Sequence, residues 1–220
     1  MHETTVVIPI KSFRTGWSRL AGHLDDRHRR SLAVTVADRV IAAAGALPVL
    51  IVTNDDGVRD WATTHRLATL APVAPGLNRA VGDALAHLES GHLDGPDGAG
   101  PDGAGPDGAD VDRVLRALVV HADLPLASDL SVAVGAGDEV IIVTDRHDDG
   151  TNLLSIPLRR GFEVSYGVGS AARHRSEAAR LGLGVTTITD PELSWDLDTP
   201  EDLDHPQIQE LLERVLGAIP

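Results

Sequence analysis

The stretch Leu115-Arg116-Ala117-Leu118-Val119-Val120-His121-Ala122-Asp123-Leu124-Pro125 decides the fold. Its first six residues form a mostly apolar run that is typical of a buried strand. The run ends at an aspartate, which core packing does not require. In an open α/β sheet, ligands bind past the carboxyl ends of the strands, where a carboxylate such as Asp123 can hold Mg²⁺ against phosphate oxygens. The alternative is that Asp123 caps a turn or a helix, and this stretch alone does not decide between the two.

Strands and helices alternate on both sides of this run. Further strand-like runs lie at 5–10, 48–53, 68–73, 139–144, 153–156 and 185–188. Helical patterns lie between them at 25–45, 58–65, 77–88, 126–136 and 167–181, with Ser128 as the N-cap of the fourth, and a terminal helix opens at Thr199 and Pro200. The alternation predicts one α/β domain over residues 1–220. Its architecture is a three-layer α/β/α arrangement, in which helices cover both faces of a mostly parallel mixed sheet. The strands at 153–156 and 185–188 are expected to add an antiparallel edge.

Composition limits the classes of function. The chain has 220 residues, a net charge of −14, no cysteine, and Lys11 as its single lysine. Such a surface repels nucleic acid, and the lack of cysteine excludes disulfides and thiolate metal sites. No apolar run approaches the roughly 20 residues of a membrane span, and the first residues lack a signal-peptide pattern. We therefore expect a cytoplasmic protein without nucleic-acid or membrane partners. The oligomeric state stays open, with a homodimer as one option.

A repeated segment interrupts the α/β pattern. The pentapeptide Gly-Pro-Asp-Gly-Ala occurs three times in succession between residues 95 and 109. Its proline and glycine content and its lack of hydrophobic anchors predict a disordered surface insertion at about residues 94–110. Calcium binding by Asp97, Asp102 and Asp107 is the weaker alternative, because the spacing lacks the density of acceptors that calcium loops have.

A basic loop follows the first strand. Lys11, Arg14 and Arg19 lie there with Gly16 and Ser18. Together these residues offer positive charges and N–H groups that can hold a triphosphate. The loop is not a Walker loop, because it lacks the G-x-x-x-x-G-K-[ST] pattern. A solvated loop is the better interpretation of any one basic residue, but it explains less well why the only lysine lies in this cluster.

Two carboxylates far apart in the sequence follow strand-like segments. Asp123 and Asp196 could jointly hold one Mg²⁺ ion that bridges nucleotide phosphates. Capping of the terminal helix is the alternative role for Asp196 and Asp198, and for each residue taken alone it is at least as good.

Two glycine-containing segments offer hydrogen-bond donors to an anion. Gly150-Thr151-Asn152 carries a hydroxyl and an amide, and Gly167-Val168-Gly169-Ser170 precedes a helix whose amino end favours negative charge. Arg173, His174 and Arg175 lie in the first turns of that helix, and His174 is expected more often at the surface than as a base. Together these groups predict a site for a small phosphorylated acid. No Ser/His/Asp motif, H-E-x-x-H or G-x-G-x-x-G is present.

Taken as a set, these motifs resemble the 2-phospho-L-lactate guanylyltransferase family (CofC/FbiD type) of coenzyme F420 biosynthesis. The resemblance rests on 7–12, Ser18-Arg19-Leu20, Pro75-Gly76-Leu77-Asn78, 121–126, Gly150-Thr151-Asn152, Tyr166-Gly167 with Ser170 and His174, and 196–203. It implies a Rossmann-like nucleotidyltransferase fold similar to that of nucleotide-diphospho-sugar transferases. It also implies transfer of GMP from GTP to 2-phospho-L-lactate or phosphoenolpyruvate, a small phosphorylated acid, with release of pyrophosphate.

The resemblance also implies roles for individual residues. Asp123 and Asp196 would ligate Mg²⁺, and Lys11 and Arg19 would face the triphosphate, so that Lys11, Arg19 and Asp123 would act on the reacting phosphates. Thr151, Gly167 and Ser170 would bind the acceptor. Gly76 and Asn78 would lie near the guanosine. One position departs from the family: Trp17 stands where a lysine is usual, and Arg14 is a candidate replacement.

Two other functions remain open from the residues. One keeps the fold but changes the acceptor to a molybdopterin, a cobinamide or a sugar phosphate, which need more room than 145–152 offers. The other is a non-catalytic nucleotide-binding module, for which two metal-binding carboxylates would serve no purpose. The absence of an evident general base fits phosphoryl transfer, because a phosphate acceptor is already ionised and catalysis consists of positioning and charge neutralisation.

Overall fold

A computed structural model describes residues 3–91 and 115–217, so the predicted insertion at 94–110 lies outside the described residues. The strands are β1 (Glu3–Pro9), β2 (Val49–Val52), β3 (Ala68–Leu70), β4 (Leu115–Val120), β5 (Glu139–Thr144), β6 (Thr151–Pro157) and β7 (Gly184–Ile188). The α-helices are α1 (Asp26–Ala43), α2 (Asp56–Thr64), α3 (Leu77–Glu89), α4 (Ser170–Arg180) and α5 (Pro206–Gly217).

The described strands form one seven-stranded sheet in the order β3-β2-β1-β4-β6-β5-β7. All of them except β6 run in the same direction. This arrangement confirms the predicted α/β class and the mostly parallel mixed sheet. The strand that the sequence identified as central, β4, lies in the middle of the order and pairs with β1 and β6.

The predicted antiparallel edge is wrong in its position. Strand β6 is antiparallel but lies inside the sheet between β4 and β5, and the edge strand β7 is parallel to β5. The short turn at 145–150 folds β6 back beside β5, which brings it between two parallel strands. Because β6 runs backwards, its first residues lie at the same rim as the last residues of β4. There, the His121 amide donates to the carbonyl of Asn152 at 3.1 Å.

The apolar core covers both faces of the sheet. Along β4, Leu118 and Val120 pack on the face that α1 and α2 cover, while Ala117 and Val119 pack on the face that α3 and α4 cover. This alternation is the period of two that a strand buried on both faces requires. A third apolar cluster joins α1 to α5. Within residues 3–91 and 115–217, no helix combines the length and apolar character needed to cross a membrane.

The predicted helix at 126–136 is wrong. Only a 3₁₀ turn forms there, at Ser131–Ala133. The Asp129 carboxylate accepts from the Ser131 N–H at 2.8 Å, and Ser128 bonds to Glu192 instead of capping a helix. Asp and Ser side chains that bond to local backbone compete with helix formation, and the glycines that follow do not favour it.

The terminal helix begins later than the sequence predicts. Thr199 precedes a 3₁₀ helix at Pro200–Asp204, and α5 starts at Pro206. His205 between them is extended, with φ −66° and ψ 130°. A residue before proline is disfavoured in the α region, so Pro206 ends the first helical segment and starts the second.

Arg116 is a fully buried cation at the start of β4. Its guanidinium donates to the carbonyls of Val134 at 3.0 Å, Gly137 at 2.7 Å and Glu139 at 2.6 Å, and to the Ser155 hydroxyl at 3.1 Å. Burial lowers the pKa of Arg116. The side chain therefore ties the irregular segment before β5 to two strands of the sheet.

We expect Arg116→Met to destabilise the protein by about 3 kcal/mol, because several buried acceptors lose their donor. Arg30→Met, at an exposed position of α1, is the matched control and should change stability by no more than about 0.5 kcal/mol. Urea unfolding followed by circular dichroism measures both. Equal unfolding midpoints for the two variants would show that the Arg116 hydrogen bonds are dispensable.

Candidate active site

A cleft of about 380 Å³ opens at the carboxyl ends of the parallel strands. Its walls come from the loop after β1, the start of α3, the end of β4 and the segment before the terminal helices. They include Lys11, Trp17, Leu77, Asp123 and Asp198. The fold therefore brings together at one rim the basic loop and the acidic segments that are far apart in the sequence.

Asp123 is held at the centre of this rim by its backbone. Its carbonyl accepts from the Leu197 N–H at 2.9 Å, which fixes the Asp196–Asp198 segment against the end of β4. Its side-chain Oδ1 is buried without a hydrogen-bond partner among the described residues. The pKa of Asp123 is raised to about 6, mainly by burial and in part by the charges of Asp196 and Asp198, against the opposing effect of His121. The nearby charge of His121 therefore does not fully compensate this carboxylate, and its Oδ1 has no hydrogen-bond partner in the described part of the chain.

Asp196 shares this environment. Burial raises the pKa of Asp196, the charges of Asp145 and Asp202 add to the rise, and Arg146 opposes it. The nearest guanidinium nitrogen of Arg146 lies 4.0 Å from the Asp196 carboxylate. The cation therefore offsets only part of the acidic charge at the rim.

Arg146 supports the acidic segment and was missed by the sequence analysis. Its guanidinium forms an ion pair with the buried Asp202 and lies 4.6 Å from the ring centroid of Trp195. The Asp202 carboxylate in turn accepts from the backbone N–H groups of Asp198 at 2.7 Å and Thr199 at 2.6 Å. Arg146 follows β5 directly, in a turn that is otherwise acidic. That position in the sequence could have marked it as a residue of the strand-end rim.

The basic loop contributes two cations on the outer side of the cleft. Lys11 is exposed at its wall, and Arg19 forms an ion pair with Asp198 in which both side chains are more than half exposed. Trp17 adopts a left-handed conformation with φ 55° and lines the cleft beside Lys11. Arg14 is exposed in the same loop. The fold thus places Lys11 and Arg19 on the same rim as Asp123.

The predicted acceptor-binding hydroxyls form a buried cluster. The oxygens of Ser170 and Thr151 lie 3.3 Å apart, and the Thr151 hydroxyl oxygen lies 3.0 Å from Nδ1 of His174. His174 is fully buried, which corrects the expectation of a surface residue. Gly167 has φ +116°, a conformation that side chains disfavour, and directs the chain into α4.

The turn between β5 and β6 is pinned by one carboxylate. Asp145 accepts from the backbone N–H groups of His147, Asp149 and Gly150 at 3.0, 3.0 and 2.8 Å. A Cβ at Gly150 would lie 2.7 Å from the Asp145 carboxylate, so a larger residue there would displace the side chain that pins the turn. This turn places Thr151, the first residue of β6, next to the end of β4.

Asn78 connects the start of α3 to the loop before α4. Its side-chain oxygen accepts from the Tyr166 N–H at 2.6 Å, and its amide nitrogen donates to the Tyr166 carbonyl at 3.3 Å. Gly76 precedes it with φ +110°. Both residues lie beside the cleft-lining Leu77, and their assignment to the nucleotide stays a prediction.

Three unpartnered polar atoms lie near the rim. The Tyr166 hydroxyl, His121 Nε2 and Asp123 Oδ1 are buried without a hydrogen-bond partner within the described part of the chain. The rings of Tyr166 and His121 are 5.2 Å apart, and burial raises the pKa of the Tyr166 hydroxyl. Unsatisfied buried polar atoms are uncommon and require an explanation, such as a catalytic role or contact with a water or an ion. Tyr166 is thus a further candidate site residue.

A sequence profile described as "Guanylyl transferase CofC like" matches residues 4–93 and 109–209. The chain belongs to this family. The match confirms the resemblance that the motifs indicate, and its gap at 94–108 falls on the Gly-Pro-Asp repeat. This CofC-like guanylyltransferase is therefore an enzyme of the nucleotidyltransferase class.

Curated relatives agree over most of the chain. A phosphoenolpyruvate guanylyltransferase from Conexibacter woesei is 34% identical over 91% of this chain and 86% of its own length. One from Sphaerobacter thermophilus is 32% identical over 92% and 91%. A 2-phospho-L-lactate guanylyltransferase from Methanocaldococcus jannaschii is 25% identical over 90% and 80%.

Solved structures support the fold. A protein from Desulfovibrio desulfuricans G20, described provisionally as a nucleotide-diphospho-sugar transferase, aligns with a TM-score of 0.66 at 12% identity over 99% of this chain and 98% of its own. A nucleotidyl transferase from Methanothermobacter thermautotroptrophicus aligns with a TM-score of 0.56 at 13% identity over 98% and 99%. These similarities confirm the predicted Rossmann-like nucleotidyltransferase fold.

The metal-free guanylyltransferase should become more stable when Asp123 is neutralised. The pKa of Asp123 is raised from the ordinary value of 3.8 to about 6 in the folded protein, so the fold favours the protonated carboxyl. The resulting contribution to stability is fully present below pH 3.8 and is lost as the pH rises through about 6. We expect Asp123→Asn to remove this loss, so that at pH 8 the free energy of unfolding of the variant exceeds that of wild type by about 3 kcal/mol. Near pH 4 the difference should vanish.

Urea unfolding in EDTA between pH 4 and pH 8 measures this effect. Asp60→Asn, at an exposed position of α2, is the control and should follow wild type at every pH. A stability difference between Asp123→Asn and wild type that stays constant over this range would contradict the assignment of a charged, unpaired Asp123.

Proposed function

We propose that this guanylyltransferase transfers GMP from GTP to phosphoenolpyruvate or 2-phospho-L-lactate, with release of pyrophosphate, in coenzyme F420 biosynthesis. The observation that carries the proposal is the buried, unpaired carboxylate of Asp123 beside Asp196 and Asp198, at a rim that also holds Lys11 and Arg19. The names of the relatives support both acids as acceptors.

The donor set fits Mg²⁺. Across residues 3–91 and 115–217, no three His, Cys, Asp or Glu side chains converge as they do in a site built entirely from protein ligands. Mg²⁺ usually takes one or two carboxylates and completes its shell with waters and substrate phosphates. Asp123 and Asp196 would supply such a pair. The pKa values of both are raised, mainly by burial and in part by neighbouring carboxylates, and a bound cation would offset both effects. When bound, Mg²⁺ would neutralise charge on the reacting phosphates.

The chemistry requires no general base. An oxygen of the acceptor's phosphate, ionised at neutral pH, forms a bond to the α-phosphorus of GTP, and the bond from that phosphorus to the bridging oxygen of the β-phosphate breaks. Lys11 and Arg19 offset charge on the triphosphate and the departing pyrophosphate. Arg19 is already held at the rim by Asp198.

The acceptor is proposed to bind at Thr151, Gly167 and Ser170, and the guanosine near Gly76 and Asn78. Antiparallel β6 supports this assignment, because it starts at the rim where β4 ends and so brings Thr151 close to Asp123. The three hydrogen bonds to Asp145 hold the turn at 145–150 closed, and a closed turn favours a three-carbon acid over a pterin, a cobinamide or a sugar phosphate.

The purified protein should release pyrophosphate from GTP and Mg²⁺ only when a small phospho-acid is present. A coupled pyrophosphate assay with phosphoenolpyruvate, 2-phospho-L-lactate, glucose 1-phosphate and no acceptor tests this. Asp123→Asn should lower kcat by about 10³-fold or more, since it removes a ligand at the reacting phosphates. No release with either phospho-acid would leave only the fold and the family in place.

Mg²⁺ should stabilise the protein through the two carboxylates. With Mg²⁺ at about 100 times its Kd, wild type should gain about 3 kcal/mol of stability, as seen in thermal unfolding with and without EDTA. Asp123→Asn and Asp196→Asn should lose this gain, whereas Asp60→Asn should keep it. A gain that persists in both site variants would place the metal elsewhere.

A further inference from the structure

The hydrogen bonds of His174 determine which of its nitrogens carries the proton. Nε2 lies 2.9 Å from the backbone nitrogen of Ser165, which can only donate, so Nε2 accepts. Burial, with smaller effects of Arg173 and His121, lowers the pKa of His174 to about 4, so the ring is neutral at physiological pH. The single ring proton is therefore on Nδ1, and His174 donates to the Thr151 hydroxyl oxygen at 3.0 Å.

This tautomer fixes the polarity of the hydroxyl pair. His174, Thr151 and Ser170 have three polar protons and two mutual contacts, at 3.0 and 3.3 Å. When His174 donates, its ring proton serves the contact with Thr151 and one hydroxyl proton serves the contact between Thr151 and Ser170. The other hydroxyl proton remains for a ligand. With the opposite tautomer, Thr151 would donate to His174 and Ser170 to Thr151, and no proton would remain. Which nitrogen of His174 carries the proton thus decides whether the Thr151 and Ser170 hydroxyls can donate a hydrogen bond to a ligand.

The ring has little freedom to change this state. His174 is fully buried, with the Tyr166 ring at 5.0 Å in an edge arrangement and the Phe162 ring at 6.1 Å. A flip of the imidazole would break both the Ser165 and the Thr151 hydrogen bonds. The Ser165 N–H also belongs to the loop that leads to Gly167, so the same contact ties the loop to the ring.

We propose that His174 is a positioning residue that orders the Thr151–Ser170 pair to donate to the acidic acceptor. The phosphate and carboxylate oxygens of such an acid accept hydrogen bonds, so the site must present donors to them. The inference rests on the proposed function, because it requires the phospho-acid to bind at these hydroxyls. His174 itself does not touch the reacting atoms.

Two amide replacements separate the two ring nitrogens. In His174→Asn, the side-chain nitrogen can take the place of Nδ1 and donate to Thr151. In His174→Gln, the side-chain oxygen can take the place of Nε2 and accept from Ser165, but the donor to Thr151 is lost. We expect His174→Gln to raise the KM for the acceptor by about 10- to 100-fold and His174→Asn by about threefold or less, with the KM for GTP unchanged in both.

Steady-state kinetics with each substrate varied in turn provides this test. Equal acceptor KM values for the two variants would overturn the role of His174. An equal rise of the KM for the acceptor and the KM for GTP in His174→Gln would overturn it as well. In either case, a wild type that is active with the phospho-acids still supports the proposed function. A wild type that transfers GMP to neither acid would overturn the function instead.

Nuclear magnetic resonance on the wild type covers the case in which a variant does not fold. Long-range ¹H–¹⁵N correlation should show His174 protonated at Nδ1 and unprotonated at Nε2 from pH 5.5 to pH 8. The His174 signal is assigned by its absence from the spectrum of whichever variant folds. If neither variant folds, it is assigned by its correlation with the Ser165 amide. Protonation at Nε2, or an imidazolium in this range, would contradict the proposal.

Discussion

The site depends on one incompletely compensated carboxylate, that of Asp123, whose Oδ1 is buried. The end of β4 places it there, and the hydrogen bond from the Leu197 N–H to its carbonyl brings two more acidic residues beside it. Burying an unpaired charge is costly, and the described structure offers no partner for Oδ1. Arg146 and Asp202 hold the backbone of the acidic segment without cancelling this charge. In the proposed reaction, a cation and a triphosphate would complete this arrangement.

The inverted strand β6 gives the site its second half. Parallel strands alone would bring only their carboxyl ends to the rim, whereas β6 contributes its amino end, beginning with Thr151. The turn pinned by Asp145 sets where that end lies, and His174 beneath it orders the hydroxyls. The acidic rim and the hydroxyl cluster are thus built by adjacent strands, which suits a reaction between two phosphorylated substrates.

Local patterns predicted the elements but not their partners. The apolar run of β4 and the carboxylate that ends it were legible because a buried strand has a simple composition. The place of β6 was not, because pairing order depends on packing between distant segments. Ser128 suggested the N-cap of a helix, but its hydroxyl bonds to Glu192 instead. Arg146 was missed because its partner, Asp202, lies far away in sequence. Tyr166 was part of a motif but received no role, because only the fold shows that its hydroxyl is buried without a partner among the described residues.

The most direct test of a cation shared by the two carboxylates and the nucleotide is pulsed electron paramagnetic resonance on the enzyme with Mn²⁺ and a non-hydrolysable GTP analogue. In enzyme labelled with ¹³C at its aspartate carboxylates, Mn²⁺ that bridges the protein and the phosphates should show ¹³C and ³¹P hyperfine couplings together. The ³¹P coupling persists wherever the ion stays on the analogue, so the ¹³C coupling is the readout, and it should weaken or disappear at matched concentrations in Asp123→Asn and Asp196→Asn but not in Asp60→Asn. Absence of the ¹³C coupling in wild type, or its full retention in both site variants, would contradict the central role of this pair.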